Sequence, residues 1–229
     1  IDIDSEILEE VEEQFDDLTF AQFCRQLGSL RFEGGRSHPL LILADFELPI
    51  YITTGYHDFL EEALRQGGRD PQTEICRWHN QLEKIPSVFD NGHYEPSPER
   101  PLVYHLHGFD EYPDSLVLTE DDYLKFLVAA SQNVGRATDP IHRRVRQAMS
   151  DSSLMLLDYG LQNWDFRSLF WGLIQLRTRT LTSVVSIQLE PSEVEKQYFD
   201  KYLDEHDFKV TWTKLDEYMS ELHKGVSSG

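Results

Sequence analysis

Apolar positions along this chain follow two rhythms. Short apolar runs bounded by polar turns occur at LPIYIT (48–53), LVYHL (102–106), LVL (116–118), LMLL (154–157), VVSIQL (184–189) and FKVTW (208–212), and each reads as a strand. Between them, apolar residues recur at helical spacing. That spacing predicts helices over Pro39–Asp45, Tyr56–Leu64, Glu120–Gln132, Pro140–Ser150, Asp165–Leu176, Ser192–Leu203 and Leu215–His223. Strands alternating with helices predict an α/β fold, a doubly wound and largely parallel Rossmann-like sheet with helices on both faces. Thr119 followed by Asp122 is a capping box for the helix at 120–132, with Leu124, Phe126, Leu127 and Val128 expected in its core.

The N-terminal region has a different texture. Residues 1–17 carry nine acidic side chains and no basic one, yet Ile3, Ile7, Leu8, Val11 and Phe15 keep helical spacing. A second helix follows behind Thr19, and FEGGRSHP (32–39) is a loop. Two parts are therefore expected, a helical segment over 1–47 packed on the core and an α/β domain over 48–229. The stretch 67–100 is rich in Gly, Pro, Asn and Asp and reads as a long irregular loop, a functional cover or mobile segment.

Charge and cysteine content narrow the function classes. With 21 Lys and Arg against 41 Asp and Glu, the net charge is −20, which argues against a nucleic-acid groove. HRRVRQ (142–147) is a local basic face that reads as a partner for acidic neighbours. No apolar run is long enough to cross a bilayer, so no membrane association is expected. Two scattered cysteines, Cys24 and Cys76, fit a reducing, cytoplasmic compartment and exclude a four-cysteine zinc ribbon. The chain does not begin with Met, which reads as a domain excised from a longer protein.

Three segments concentrate polar residues at strand ends, where open α/β sheets bind ligands, and are expected to converge on one crevice. In ITTGYH (52–57), Thr53, Thr54 and Gly55 lead toward a helix start whose N–H groups suit an anion or ribose; alternatively Gly55 serves only a plain turn needing positive φ. In HLHG (105–108), His105 and His107 alternate on a strand and so share a face, ahead of a sharp turn at Gly108. That pair suits a general base, a metal site, or histidines that merely bond nearby backbone. In DYGLQNWDF (158–166), Asp158 ends a strand, Gly160 permits close backbone approach and Asp165 caps a helix. No GxSxG, P-loop or HExxH motif is present.

Taken together, TTGYHDFLE, LHG with VLTEDDY, and DYGLQNWDFRSLF resemble the sirtuin-like domains of bacterial defence and signalling proteins, with patterns TTNYDxLLE, LHG with VLTEDDY, and GYGLxDWDFRxLF. The resemblance implies NAD lying across the strand ends, the Asn on the ribose, the Asp on the nicotinamide and the LHG histidine as general base. Thr53, Thr54, Tyr56, His107, Gly108 and Gly160 match the pattern, whereas the Asn is Gly55, the Asp is His57 and the first glycine of GYGL is Asp158. Residues 1–47 contain no match to the family's GAGxS pyrophosphate loop. His57 or His107 is the expected partner for Asp158 if that carboxylate faces inward. These departures lead to three readings: a degenerate module that senses NAD or ADP-ribose, or serves as a scaffold for other domains or subunits; an active NAD glycohydrolase with His107 as general base; and a metal-dependent hydrolase using His105 and His107.

Overall fold

The computed structural model describes residues 38–159 except 91, 133, 134 and 137, together with 185–189, 196 and 208–227. The helices expected within 1–37 and at 165–176, most of that at 192–203, and the residues Cys24 and Gly160 lie outside the described residues. In chain order the elements are α1 (Pro39–Ala44), β1 (Ile50–Thr53), α2 (Phe59–Gln66), β2 (Gln72–Ile75), β3 (Leu102–His105), α3 (Glu120–Gln132), α4 (Arg143–Asp151), β4 (Leu154–Tyr159), β5 (Val185–Leu189), β6 (Phe208–Trp212) and α5 (Leu215–Ser227). Single 3₁₀ turns occupy Asn80–Lys84 and Pro113–Ser115. Among the described residues every strand pair is parallel, and the strands are accompanied by helices, as in the Rossmann-like α/β class.

The described residues form two compact units, one within 44–145 and the other comprising those of 38–43 and of 146–227. In the first, the strand order is β1-β3-β2. All four residues of β3 are buried, as the central strand of a parallel sheet requires. Thr53, His105 and Ile75 lie at the same level of the ladder, so the three strands end together and release their turns from one edge. Leu60 and Leu64 of α2 are buried and, with Leu102, Val103 and Tyr104, belong to the core.

β2 lies inside the stretch expected to be irregular. Its sequence QTEI has no apolar run, and pairing with β3 makes it a strand despite weak local preference. The rest of the stretch is tied down through the buried Glu74. Its carboxylate accepts from Arg77 (2.5 Å), from the Ile75 N–H (2.8 Å), from the Val88 N–H (3.2 Å) and from the Ser87 hydroxyl.

LVL (116–118) makes the opposite deviation, since it forms no strand. Its backbone bonds go elsewhere: Val117 N–H donates to His107 O (3.0 Å), and Val117 O accepts from the Tyr56 hydroxyl (2.9 Å). The capping box forms as its residues predict, with Asp122 N–H donating to Thr119 Oγ1 (3.2 Å) and Thr119 N–H to Asp122 Oδ2 (3.1 Å). Phe126 is buried, but Leu124 and Val128, expected in the core, stand 56% and 50% exposed. At the start of α4, Arg144 reaches Tyr94 O (2.8 Å) and Glu95 (3.6 Å), the acidic partnership expected of the basic segment.

The second unit carries the order β4-β5-β6. The register shifts between Leu156 and Tyr159, where Asp158 adopts φ 58°. The buried Gln188 accepts from Asp158 N–H (2.9 Å) and donates to Thr213 O (2.8 Å). Left-handed backbone at this position is the physical reason a glycine suits the family pattern there. Among the described residues, no helix is long and apolar enough to cross a membrane.

Candidate functional site

The turn after β1 and the turn after β3 are laced together above the sheet edge. Leu106 N–H donates to Thr53 O (2.8 Å), and Asp110 N–H donates to Tyr56 O (2.9 Å). Gly55 N–H bonds Thr53 Oγ1 (2.9 Å). The expected grouping of 53–57 with 105–108 is therefore present in the first unit. Asp158 belongs to the second unit and is exposed.

Helix α2 begins at Phe59 rather than Tyr56, so Thr53 ends β1 and Thr54 and Gly55 lie in the link to the helix rather than at its start. Gly55 is exposed and its φ is not positive; a Cβ there would meet only Thr53 Oγ1, at 3.2 Å. Glycine at 55 is thus not imposed by the turn. Gly108 is imposed: it takes φ 91°, and a Cβ would fall 2.1 Å from Ser115 O. That close approach is fixed by Ser115, whose Oγ accepts from Phe109 N–H (2.9 Å) and whose carbonyl accepts from Trp78 Nε1 (2.9 Å).

The two histidines of HLHG have separate surroundings, because β3 stops at His105 and the chain has turned before His107. His105 is fully buried. Its Nδ1 donates to Gly55 O (2.9 Å), and its Nε2 lies 2.9 Å from Glu61 Oε1, which also accepts from Thr73 Oγ1 (2.8 Å). A carbonyl only accepts, so Nδ1 carries a hydrogen and the Nε2···Oε1 contact holds one proton shared by the pair. Both ring nitrogens are thereby occupied, leaving none to ligate a metal. Among the described residues, no group of three or more His, Cys, Asp or Glu is arranged to hold a metal ion.

His107 is also fully buried. Its ring meets Tyr123 and Phe126 of α3 edge-on, with centroids 5.2 and 5.1 Å apart. His57 differs from both. Its side chain is 20% exposed, and its Nδ1 lies 3.0 Å from Asp110 Oδ2, whose side chain is 13% exposed.

Sequence reading missed Asp110 and Glu61. Glu61 had a signal: it follows Leu60 and sits three residues before Leu64, within the apolar arc of α2. A carboxylate in that arc needs a buried partner. Asp110 had none, since its role depends on the turn at Gly108 bringing it back to Tyr56.

The family model for SIR2-like domains matches residues 49–210, most of the chain. The chain belongs to the SIR2-like domain family. Among curated proteins, none matches it. The fold class expected from the sequence is that of this family, whose substrate is NAD. The match ends at residue 210, so β6 is only partly inside it and α5 lies beyond it.

Proposed function

We propose that this SIR2-like domain is a nucleotide-sensing or interaction module that takes NAD or ADP-ribose at the edge formed by β1 and β3 and cleaves NAD weakly or not at all. The observation that carries this reading is the burial of His107 against Tyr123 and Phe126. A general base has to come within hydrogen-bond reach of the proton it removes. Reaching a ligand with His107 requires exposing a ring that is fully buried. Gly55 supports the same reading, because the lip of the turn offers only backbone where the family pattern has an amide. The residues at the edge fit a ribose: Thr54 and Tyr56 are half-buried, Gly55 is exposed, and His57 presents part of its ring. Its partners on this reading are the neighbouring domains or subunits of a defence or signalling protein.

A second reading, an NAD glycohydrolase with His107 as general base, draws support from the LHG turn, whose close approach at Gly108 is kept. Nicotinamide release by the purified domain separates the two. Gly55→Asn should fold normally, since the added side chain meets only a rotatable hydroxyl. Restoring a positioned polar group is expected to raise release by about two orders of magnitude from a low parent rate. Rapid release by the parent, abolished by His107→Gln, would instead establish the glycohydrolase.

A further inference from the structure

We infer that His57, oriented by Asp110, is the imidazole that meets the ligand in this site, and that it takes a ribose hydroxyl; the inference rests on the nucleotide-binding reading above. Three histidines surround the edge of β1 and β3. His105 has both ring nitrogens engaged below the turn, and His107 is fully buried. His57 alone of these three combines partial exposure with a carboxylate partner.

The pair is built by two elements rather than by chance proximity of long side chains. Asp110 N–H donates to Tyr56 O, which fixes the turn carrying Asp110 against the residue preceding His57. The Tyr56 hydroxyl is in turn bonded to Val117 O (2.9 Å). The His57 ring also rests on Phe59, 5.0 Å between centroids. Both members are therefore short side chains on laced backbone, so little freedom is lost in forming the contact.

The chemistry follows from the tautomer. A carboxylate only accepts, so the Nδ1 facing Asp110 carries the hydrogen, and in the neutral ring Nε2 is then an acceptor. An acceptor suits a donor group. Ribose hydroxyls donate, whereas phosphate oxygens offer acceptors and would also meet the negative charge of Asp110. The site thus favours the sugar end of the ligand over its phosphates. His57 supplies one acceptor where the family pattern has the two oxygens of a carboxylate, and Asp110 is its positioning residue.

The test is a titration of the ¹⁵N-labelled chain with ADP-ribose, NAD and inorganic phosphate, watching the histidine ring nitrogens. The His57 signals are assigned by their loss in His57→Phe and His57→Gln. ADP-ribose should shift the His57 Nε2 signal, and His57→Phe should weaken its binding about tenfold, the scale of one hydrogen bond. Asp110→Asn should redistribute the tautomers of His57 and weaken binding without lowering the melting temperature, a result that a purely structural role would not give. If ADP-ribose binds but leaves the His57 signals unmoved, and His57→Phe and His57→Gln bind as the parent does, this inference fails and the nucleotide reading stands. An equal shift from phosphate alone overturns the assignment to ribose. Binding of neither nucleotide at millimolar concentration overturns the nucleotide reading, and this inference with it.

Discussion

Glu61 and His105 show how single residues set the floor of the site. Both are fully buried, and their contact holds one proton between them while Thr73 donates to the same carboxylate oxygen. Burying charge is tolerated only when the partner is present and aligned. Removing one member leaves the other stranded, so Glu61→Ala should lower unfolding stability by about 3 kcal/mol. Glu61→Gln keeps the shape and a hydrogen-bonding group, and should lose about 1 kcal/mol. Urea denaturation of the two variants against the parent measures the difference. Equal losses would mean that the lost carboxylate, not the cavity, sets the cost. Because His105 Nδ1 also holds Gly55 O, the same pair anchors the turn that carries Gly55 and His57.

At the scale of elements, the LHG turn is the joint on which the site depends. Gly108 at φ 91° lets the chain pass Ser115 so closely that no side chain fits. Gly108→Ala combines a strained backbone with a clash against backbone atoms, and is expected to lower stability by about 3 kcal/mol or more. Thermal melts of that variant beside Gly55→Ala provide the check, because position 55 has room and no positive φ. The same joint explains what was legible in the sequence. Strands β1, β3, β4, β5 and β6 stand out because buried strands of a parallel sheet read as apolar runs, and Thr119 with Asp122 announces the start of α3. QTEI is invisible because its strand character comes from pairing with β3 and from the bonds gathered by Glu74. LVL misleads because its apolar side chains are buried in part while its backbone serves the turn at His107. The site divides along the same line: residue identities at 53–57 and 105–108 are readable, but the pairings of His57 with Asp110 and of His105 with Glu61 arise from turns that no local pattern encodes.

At the scale of the whole molecule, charge and burial pull stability in opposite directions as pH changes. The chain carries a net charge of −20, so acidification reduces its self-repulsion and favours the compact state. His142 opposes that trend. Its ring lies flat on Phe89, 3.8 Å between centroids and 6° between planes. Burial holds its pKa below the ordinary value of 6.5; Arg144, Arg77 and Arg143 add to the lowering, and Glu74 works against it. The unfolded chain therefore takes up the proton before the folded one does. The stability contributed by neutral His142 is intact above pH 6.5 and declines as pH falls from there toward the lowered folded value. His142→Phe keeps a flat ring on Phe89 and removes the titration, at the loss of the bond from Arg144 N–H to Nδ1 (3.3 Å). The variant is expected to be less stable than the parent at pH 7.5 and to close that gap, or reverse it, by pH 5. Urea midpoints of both proteins across this range measure the gap directly, and because the acidic surface is common to both, its contribution cancels in the difference. A gap that stays constant with pH would mean that His142 binds its proton equally in the folded and unfolded states, and would remove burial at Phe89 as a source of acid sensitivity.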